Sequence, residues 1–182
     1  MTADVAALLA GLEDYLWAGA TGEAAWDVGA NSGQNLERML GAFSRVVAVE
    51  PAMESYAALA AGWGDRAGVT CLNVAVAAHD GTLVLAERAG PMSSGQLTPL
   101  DTTGFCADWG PADTTRPVVC TTLDSLAARF GDPDFVKIDT EGSEVLVLRG
   151  AGPQVVLKVG EQRGDVAHAA SSLNVPSARS SM

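Results

Sequence analysis

Lysine is nearly absent from the 182 residues. Only Lys137 and Lys158 occur, and 11 basic side chains face 22 acidic ones, for a net charge of −11. No polybasic patch can be assembled from that supply. This argues against nucleic acid as a partner, because phosphate backbones attract Lys and Arg and repel surplus carboxylates. Cysteine is also scarce: Cys71, Cys106 and Cys120 are odd in number, widely spaced and without a CxxC pair. That pattern argues against a disulfide framework or a zinc site and fits reduced thiols in a cytoplasmic protein. Long apolar runs are missing as well, and none approaches the ~20 residues of a membrane span. Asp4, Glu13 and Asp14 break up what would otherwise be an export signal. The expectation is a soluble, cytoplasmic protein with neither membrane nor nucleic acid as partner.

What is present is a core-forming composition, 48% hydrophobic against 18% charged, with a mean hydropathy of +0.18. Disordered chains need the opposite balance. The length suits one domain, which typically takes ~100–200 residues. Residues 1–23 read as an amphipathic helix and lead-in, with Val5, Leu8, Leu9, Leu12 and Leu16 on one stripe. Residues 24–159 read as the folded domain. Residues 160–182, rich in Ser and Ala, read as a divergent, mobile tail.

Within the domain, short apolar runs alternate with helical stretches. Residues 24–28, 45–49, 69–76, 82–86, 118–120 and 134–139 have strand character, the second (RVVAV) as a fully buried strand. Helices are expected over 34–40, stopped by Gly41, and over 52–61, with Met53, Tyr56, Ala57 and Ala60 facing the sheet. A third helix runs through Phe130, capped by Thr121 and stopped by Gly131, and a fourth covers 144–149. Residues 87–117 show no sustained period and read as a long irregular segment, a kind that is commonly functional or mobile. Alternating strands and helices imply an α/β fold with a mostly parallel sheet flanked by helices.

The stretch Trp26-Asp27-Val28-Gly29-Ala30-Asn31-Ser32-Gly33 joins the first strand to a helix, where such sheets place ligands. Gly29 and Gly33 permit a sharp turn and close approach of the backbone to a bound molecule, and the following helix start offers free N–H groups. Glu50 ends the second strand, 21 residues beyond Gly29, where ribose-binding carboxylates fall in nucleotide-binding α/β folds. A dinucleotide site requires Gly-x-Gly-x-x-Gly, but Asn31 stands at the middle glycine. The acid Asp27 before the turn would repel a pyrophosphate and suit the ammonium of S-adenosyl-L-methionine, whose sulfonium is also cationic. NAD is the alternative ligand.

The blocks DVGANSG (27–33), AVEP (48–51), NVAVAAHDGTL (73–83), TTLDSL (121–126) and VKIDTEGSEVLVLRGA (136–151) resemble the FkbM-type methyltransferases, in family order and over residues 24–151. The resemblance implies a Rossmann-like class I fold, S-adenosyl-L-methionine as cofactor, and O-methylation of a hydroxyl on a sugar, glycan or polyketide-like small molecule. It implies that Asp27, Gly29, Asn31 and Gly33 surround the methionine part of the cofactor and that Glu50 binds the ribose. Asn73 and Ala75 would lie along the adenine, and Lys137, Asp139 and Glu141 would stand beside the methyl group.

Asp139 and Glu141 would share one face of a continuing strand, as base or substrate anchor, or would cap the following helix. Two carboxylates alone make a poor metal cage. Trp109 and Phe105 either line an acceptor pocket or anchor their loop, and His79 reads as a turn residue that is exposed or touches substrate; His168 has no assigned role. After Ala151 only residues 155–159 read as a strand, so the antiparallel pair that closes the family's sheet is expected to be lacking. That would expose a sheet edge to homodimer pairing. It also leaves a second reading open: an inactive cofactor-binding relative, or a subunit completed by a partner.

Overall fold

The computed structural model describes residues 17, 19–87, 95–98 and 114–152. The expected N-terminal helix, the strand at 155–159, the tail, Phe105, Trp109 and His168 all lie outside the described residues, apart from Trp17 at the helix end. Four strands, β1 (Gly22–Val28), β2 (Phe43–Val49), β3 (Val69–Leu72) and β8 (Phe135–Ile138), form a wholly parallel sheet in the order β3-β2-β1-β8. The chain winds outward from β1 to β3 and then returns to the other side of β1. That reversal opens a crevice at the carboxyl ends of β1 and its neighbours. Helices α1 (Leu36–Leu40), α2 (Met53–Trp63), α3 (Leu123–Phe130) and α4 (Glu144–Arg149) complete an α/β architecture.

Strand alternation divides the core. Trp26, Val28, Val47 and Val49 pack on one face with Leu123, Leu126 and Val147, whereas Ala25, Val46 and Ala48 pack on the other with Leu36, Met39 and Leu59. Burial on both faces explains why β1 and β2 are almost uninterrupted apolar runs. Trp26 is fully buried, and truncating such a residue to Ala typically costs ~3–5 kcal/mol. The α2 stripe differs from the expectation: Leu59 is the buried residue and Met53 is 53% exposed. Ala57 also faces solvent. Tyr56 and Trp63 flank Leu59 against the sheet, so the stripe is shifted by one position toward the larger side chains.

A second sheet departs further from the sequence reading. The expected third strand breaks at Asn73: β3 stays in the parallel sheet, while β4 (Ala75–Val76) joins another with β7 (Thr114–Thr121), β5 (Gly81–Glu87) and β6 (Gly95–Thr98), in the order β4-β7-β5-β6. β5 pairs antiparallel with both β6 and β7. The segment expected to be irregular therefore carries β6 and the first half of β7. The cap of α3 is Thr122, whose Oγ1 accepts from Ser125 N at 3.0 Å. Thr121 instead donates to Asp80 Oδ1 at 2.8 Å, and Asp80, held also by Ser125 and Thr122, has its carboxyl drawn below the usual range.

Candidate functional site

The crevice contains a cavity of about 310 Å³ at the carboxyl ends of β1, β2 and β8, beside β4. Its floor is built by the turn after β1. Gly29 N and Ala30 N both donate to Val49 O at 3.0 Å, and Asp139 N donates to Val28 O at 2.9 Å, so three strand ends are tied together. Gly29 has φ +82°, and a Cβ there would fall on the carbonyl oxygen of Asp139. Only glycine fits that approach. Gly33 also has positive φ, but the space its Cβ would take belongs to Trp63 and Leu59. It lets α2 pack against the loop and does not line the cavity.

Asn31, with φ +49°, turns its N–H to Glu50 Oε2 at 2.9 Å, while Ala52 N donates to Glu50 Oε1 at 2.8 Å. Glu50 is 8% exposed. Burial pushes its carboxyl up, against those two N–H groups, and the charges of Asp27 and Glu87 push the same way as burial. Each oxygen accepts one backbone bond and retains capacity for another.

The opposite wall comes from β8 and the turn after it. Lys137, Asp139, Thr140, Glu141 and Ser143 all line the cavity. β8 stops at Ile138, so Asp139 and Glu141 are not brought together by strand alternation as expected. A left-handed turn does it, with φ +53° at Glu141 and +96° at Gly142. Glu144, to which the sequence reading gave no such role, caps that turn. Its Oε1 accepts from Thr140 N at 2.9 Å and Gly142 N at 3.2 Å; burial pushes its carboxyl up, but its own backbone N–H and these bonds together draw it down. Burial, together with the charges of Asp139 and Glu144, pushes the Glu141 carboxyl up.

Asp27 stands behind this wall and does not line the cavity. Its Oδ1 lies 3.0 Å from Lys137 Nζ, which also lies 3.4 Å from Asp139 Oδ2. Asn73 is likewise turned away from the cavity, donating through Nδ2 to the carbonyls of Glu50 and Pro51. Its neighbours Val74 and Ala75 supply that wall instead. His79 is exposed, with Nδ1 3.1 Å from Asp80 O, away from the cavity. Among the lining residues that the sequence did not single out are Asn35, Ser55, Thr140 and Ser143. Polar residues at strand and helix ends are too common for any pattern to mark them.

The sequence pattern of the methyltransferase FkbM domain matches residues 27–160, more than half of the chain. The chain belongs to the FkbM methyltransferase domain family. The match begins at Asp27 and takes in the β1 turn, Glu50 and the Lys137–Glu144 wall. Among solved structures, this FkbM domain is similar to the crystal structure of methyltransferase FkbM from Methylobacillus flagellatus KT, at 20% identity and a TM-score of 0.45. That similarity covers 70% of this chain and 28% of the other. No curated protein matches it. Among its described residues no helix is long and apolar enough to cross a membrane.

The lining of this FkbM domain fits S-adenosyl-L-methionine. Among the described residues, Glu50, Asp139 and Glu141 outnumber the one lining ammonium, Lys137, which favours a ligand bearing a sulfonium and an ammonium. Glu50 has acceptor capacity for two hydroxyls, and Val49, Val74 and Val76 give an apolar wall for a flat base.

Proposed function

We propose that the domain is an S-adenosyl-L-methionine-dependent O-methyltransferase of the cytoplasm, with a hydroxyl of a sugar, glycan or polyketide-like small molecule as acceptor. Neither nucleic acid nor membrane is its partner. The observation that carries the reading is the buried Glu50 carboxylate, held by Asn31 N and Ala52 N on the wall of an acidic cavity at the end of β2. Glu50 would hold the ribose, and Val49, Val74 and Val76 the adenine. The cofactor, when bound, supplies an already activated methyl group. The protein's part is then to align the acceptor oxygen and take its proton. Alignment of this kind contributes ~7–11 kcal/mol, and a positioned base ~10²–10⁴-fold.

Asp139 and Glu141 stand on the cavity wall for the base or acceptor-anchoring role. Burial and neighbouring acids push the Glu141 carboxyl up, which makes it a stronger proton acceptor than an ordinary glutamate. Lys137, braced by Asp27 and Asp139, fixes one positive charge between them.

Calorimetry with S-adenosylmethionine, S-adenosylhomocysteine and NADH tests the cofactor. Micromolar binding of the first two, absent for NADH and lost in Glu50→Ala, is expected. Mass-spectrometric turnover with hydroxylated acceptors then tests the chemistry. Asp139→Asn or Glu141→Gln should lower kcat by ~10²–10⁴ with S-adenosylhomocysteine affinity retained. A folded chain that binds NADH and neither sulfur compound would end this reading.

A further inference from the structure

Asn73 and Arg116 lie outside the cavity, and nothing in the proposed reaction uses them. Both aim at the same short turn between β2 and α2. Asn73 Nδ2 donates to Glu50 O at 2.9 Å and to Pro51 O at 3.1 Å. Arg116 Nη2 donates to that same Pro51 oxygen at 3.1 Å. The Arg116 guanidinium also grips Glu87, with Nε 2.7 Å and Nη2 3.1 Å from its carboxylate oxygens.

The turn is held at each of its backbone polar groups. Glu50 N donates to Leu72 O at 3.0 Å, and Ala52 O accepts from Tyr56 N at 2.8 Å. Ala52 N donates to Glu50 Oε1, and Pro51 has no N–H to place. Every backbone polar group from Glu50 to Ala52 therefore has a partner inside the fold. β3 ends at Leu72, so beyond that point no strand backbone is available to serve the turn. Side chains from β7 and from the β3–β4 junction serve it instead. Surface loops are ordinarily satisfied by water and are more mobile than the elements they join. This one is fastened from two directions, and it carries the buried Glu50 carboxylate of the cavity wall.

We propose that Asn73 and Arg116 are positioning residues that fix the Glu50–Pro51 turn, so that the Glu50 carboxylate meets the ribose diol of the cofactor already in place. The inference rests on the cavity being a nucleoside site, as proposed above. It also gives the second sheet a role in binding, because Arg116 on β7 and Glu87 at the end of β5 buttress the nucleoside wall of the first. A group held in its bound position loses less freedom when the ligand arrives, and the saving appears as affinity.

Calorimetry with S-adenosylhomocysteine and its 2′-deoxy analogue tests this on the wild type, Asn73→Ala, Arg116→Met and Arg116→Lys. A hydroxyl bonded to a carboxylate should make the wild type prefer the ribose form by about tenfold. In Asn73→Ala and Arg116→Met that ratio should fall to about two- or threefold as the carboxylate loses its fixed position. Arg116→Lys, which keeps a cation for Glu87 and a donor for Pro51, should recover most of it. Variants that weaken both ligands equally and keep the tenfold ratio would overturn the positioning role while leaving the nucleoside site standing. If Asn73→Ala does not fold, the two Arg116 variants decide alone. A wild type that binds neither ligand removes the nucleoside reading and this inference with it.

Discussion

The carboxylate of Asp27 and the ammonium of Lys137 meet at 3.0 Å from directly opposed positions on the adjacent parallel strands β1 and β8. Asp27 is 0% exposed, and its second oxygen has no hydrogen-bond partner among the described residues. Burial pushes its carboxyl up, and Lys137 pulls it down less strongly. An ion pair buried in this way is weak evidence for stability in itself, whereas removing one partner strands the other charge. The pair sits under the cavity wall, so its first consequence for function is the place it gives Lys137.

Lys137→Met should therefore cost about 3–5 kcal/mol of stability, and the cost should depend on pH. Without its cation, Asp27 has a folded-state pKa raised further above its unfolded value. Such an acid adds stability below the unfolded pKa and loses it as pH rises through the folded one. Relative to wild type, the variant should recover on acidification. The double change Asp27→Asn with Lys137→Met should restore most of the loss at neutral pH. Chemical denaturation of the wild type and these variants at acidic and mildly alkaline pH measures this. Equal losses in the single and double variants would mean that the stranded charge is not the cause.

Two glycines make a paired prediction about backbone. Gly29→Ala forces a Cβ onto the Asp139 carbonyl at φ +82°, so β1 and β8 must part where the cavity begins. The left-handed conformation alone costs about 1–2 kcal/mol, and the displaced carbonyl adds to that. Loss of S-adenosylhomocysteine binding and a lowered Tm are expected. Gly62, inside α2, has nothing within 4 Å of an added Cβ, and Gly62→Ala should raise stability by about 0.5–1 kcal/mol. Thermal melts of both, side by side, check the contrast; a Gly29→Ala chain as stable as wild type would contradict the close approach.

The parallel sheet was legible in the sequence because burial on both faces leaves runs such as RVVAV, and Gly41 and Gly131 mark helix ends that the structure places at the same residues. The second sheet was legible only in part: residues 82–86 and 118–120 read as strands and lie in β5 and β7, whereas β6 and the first half of β7 did not. β7 reads TTRPVVCT with Val119 61% exposed, so its half-buried pattern is masked by Pro117 and by an apolar residue facing water. The break at Asn73 was equally hidden, since a strand that changes sheets keeps its apolar character on both sides. At the site, the position of Glu50 followed from spacing. The capping role of Glu144 did not, because a left-handed turn at Glu141 leaves no mark in residue type. The family resemblance implied that Asn73 lies along the adenine, and nothing in the sequence marked the bonds its side chain makes to the turn.

If Glu50 holds the ribose as proposed, it should set the pH dependence of S-adenosylhomocysteine binding. Burial is the largest influence on it and raises its pKa, with Asp27 and Glu87 adding to the rise and the Ala52 and Asn31 N–H groups opposing it. Protonation removes acceptor capacity from the carboxyl that we propose meets the ribose. Affinity for S-adenosylhomocysteine should therefore fall on acidification with a midpoint above the ordinary glutamate range, and Glu50→Gln should bind weakly with that acid limb gone. Stability moves the other way. A raised folded pKa means that the Glu50 contribution is present at low pH and lost as pH rises through the folded value. The stability of the wild type relative to Glu50→Gln should then increase over the same interval in which binding declines. Opposite slopes separate titration of one carboxyl from general acid unfolding, in which binding and stability fall together. Calorimetric titrations and thermal melts of both proteins across that interval measure the two slopes. A binding midpoint in the ordinary glutamate range, or an acid limb that survives in Glu50→Gln, would take Glu50 out of the role.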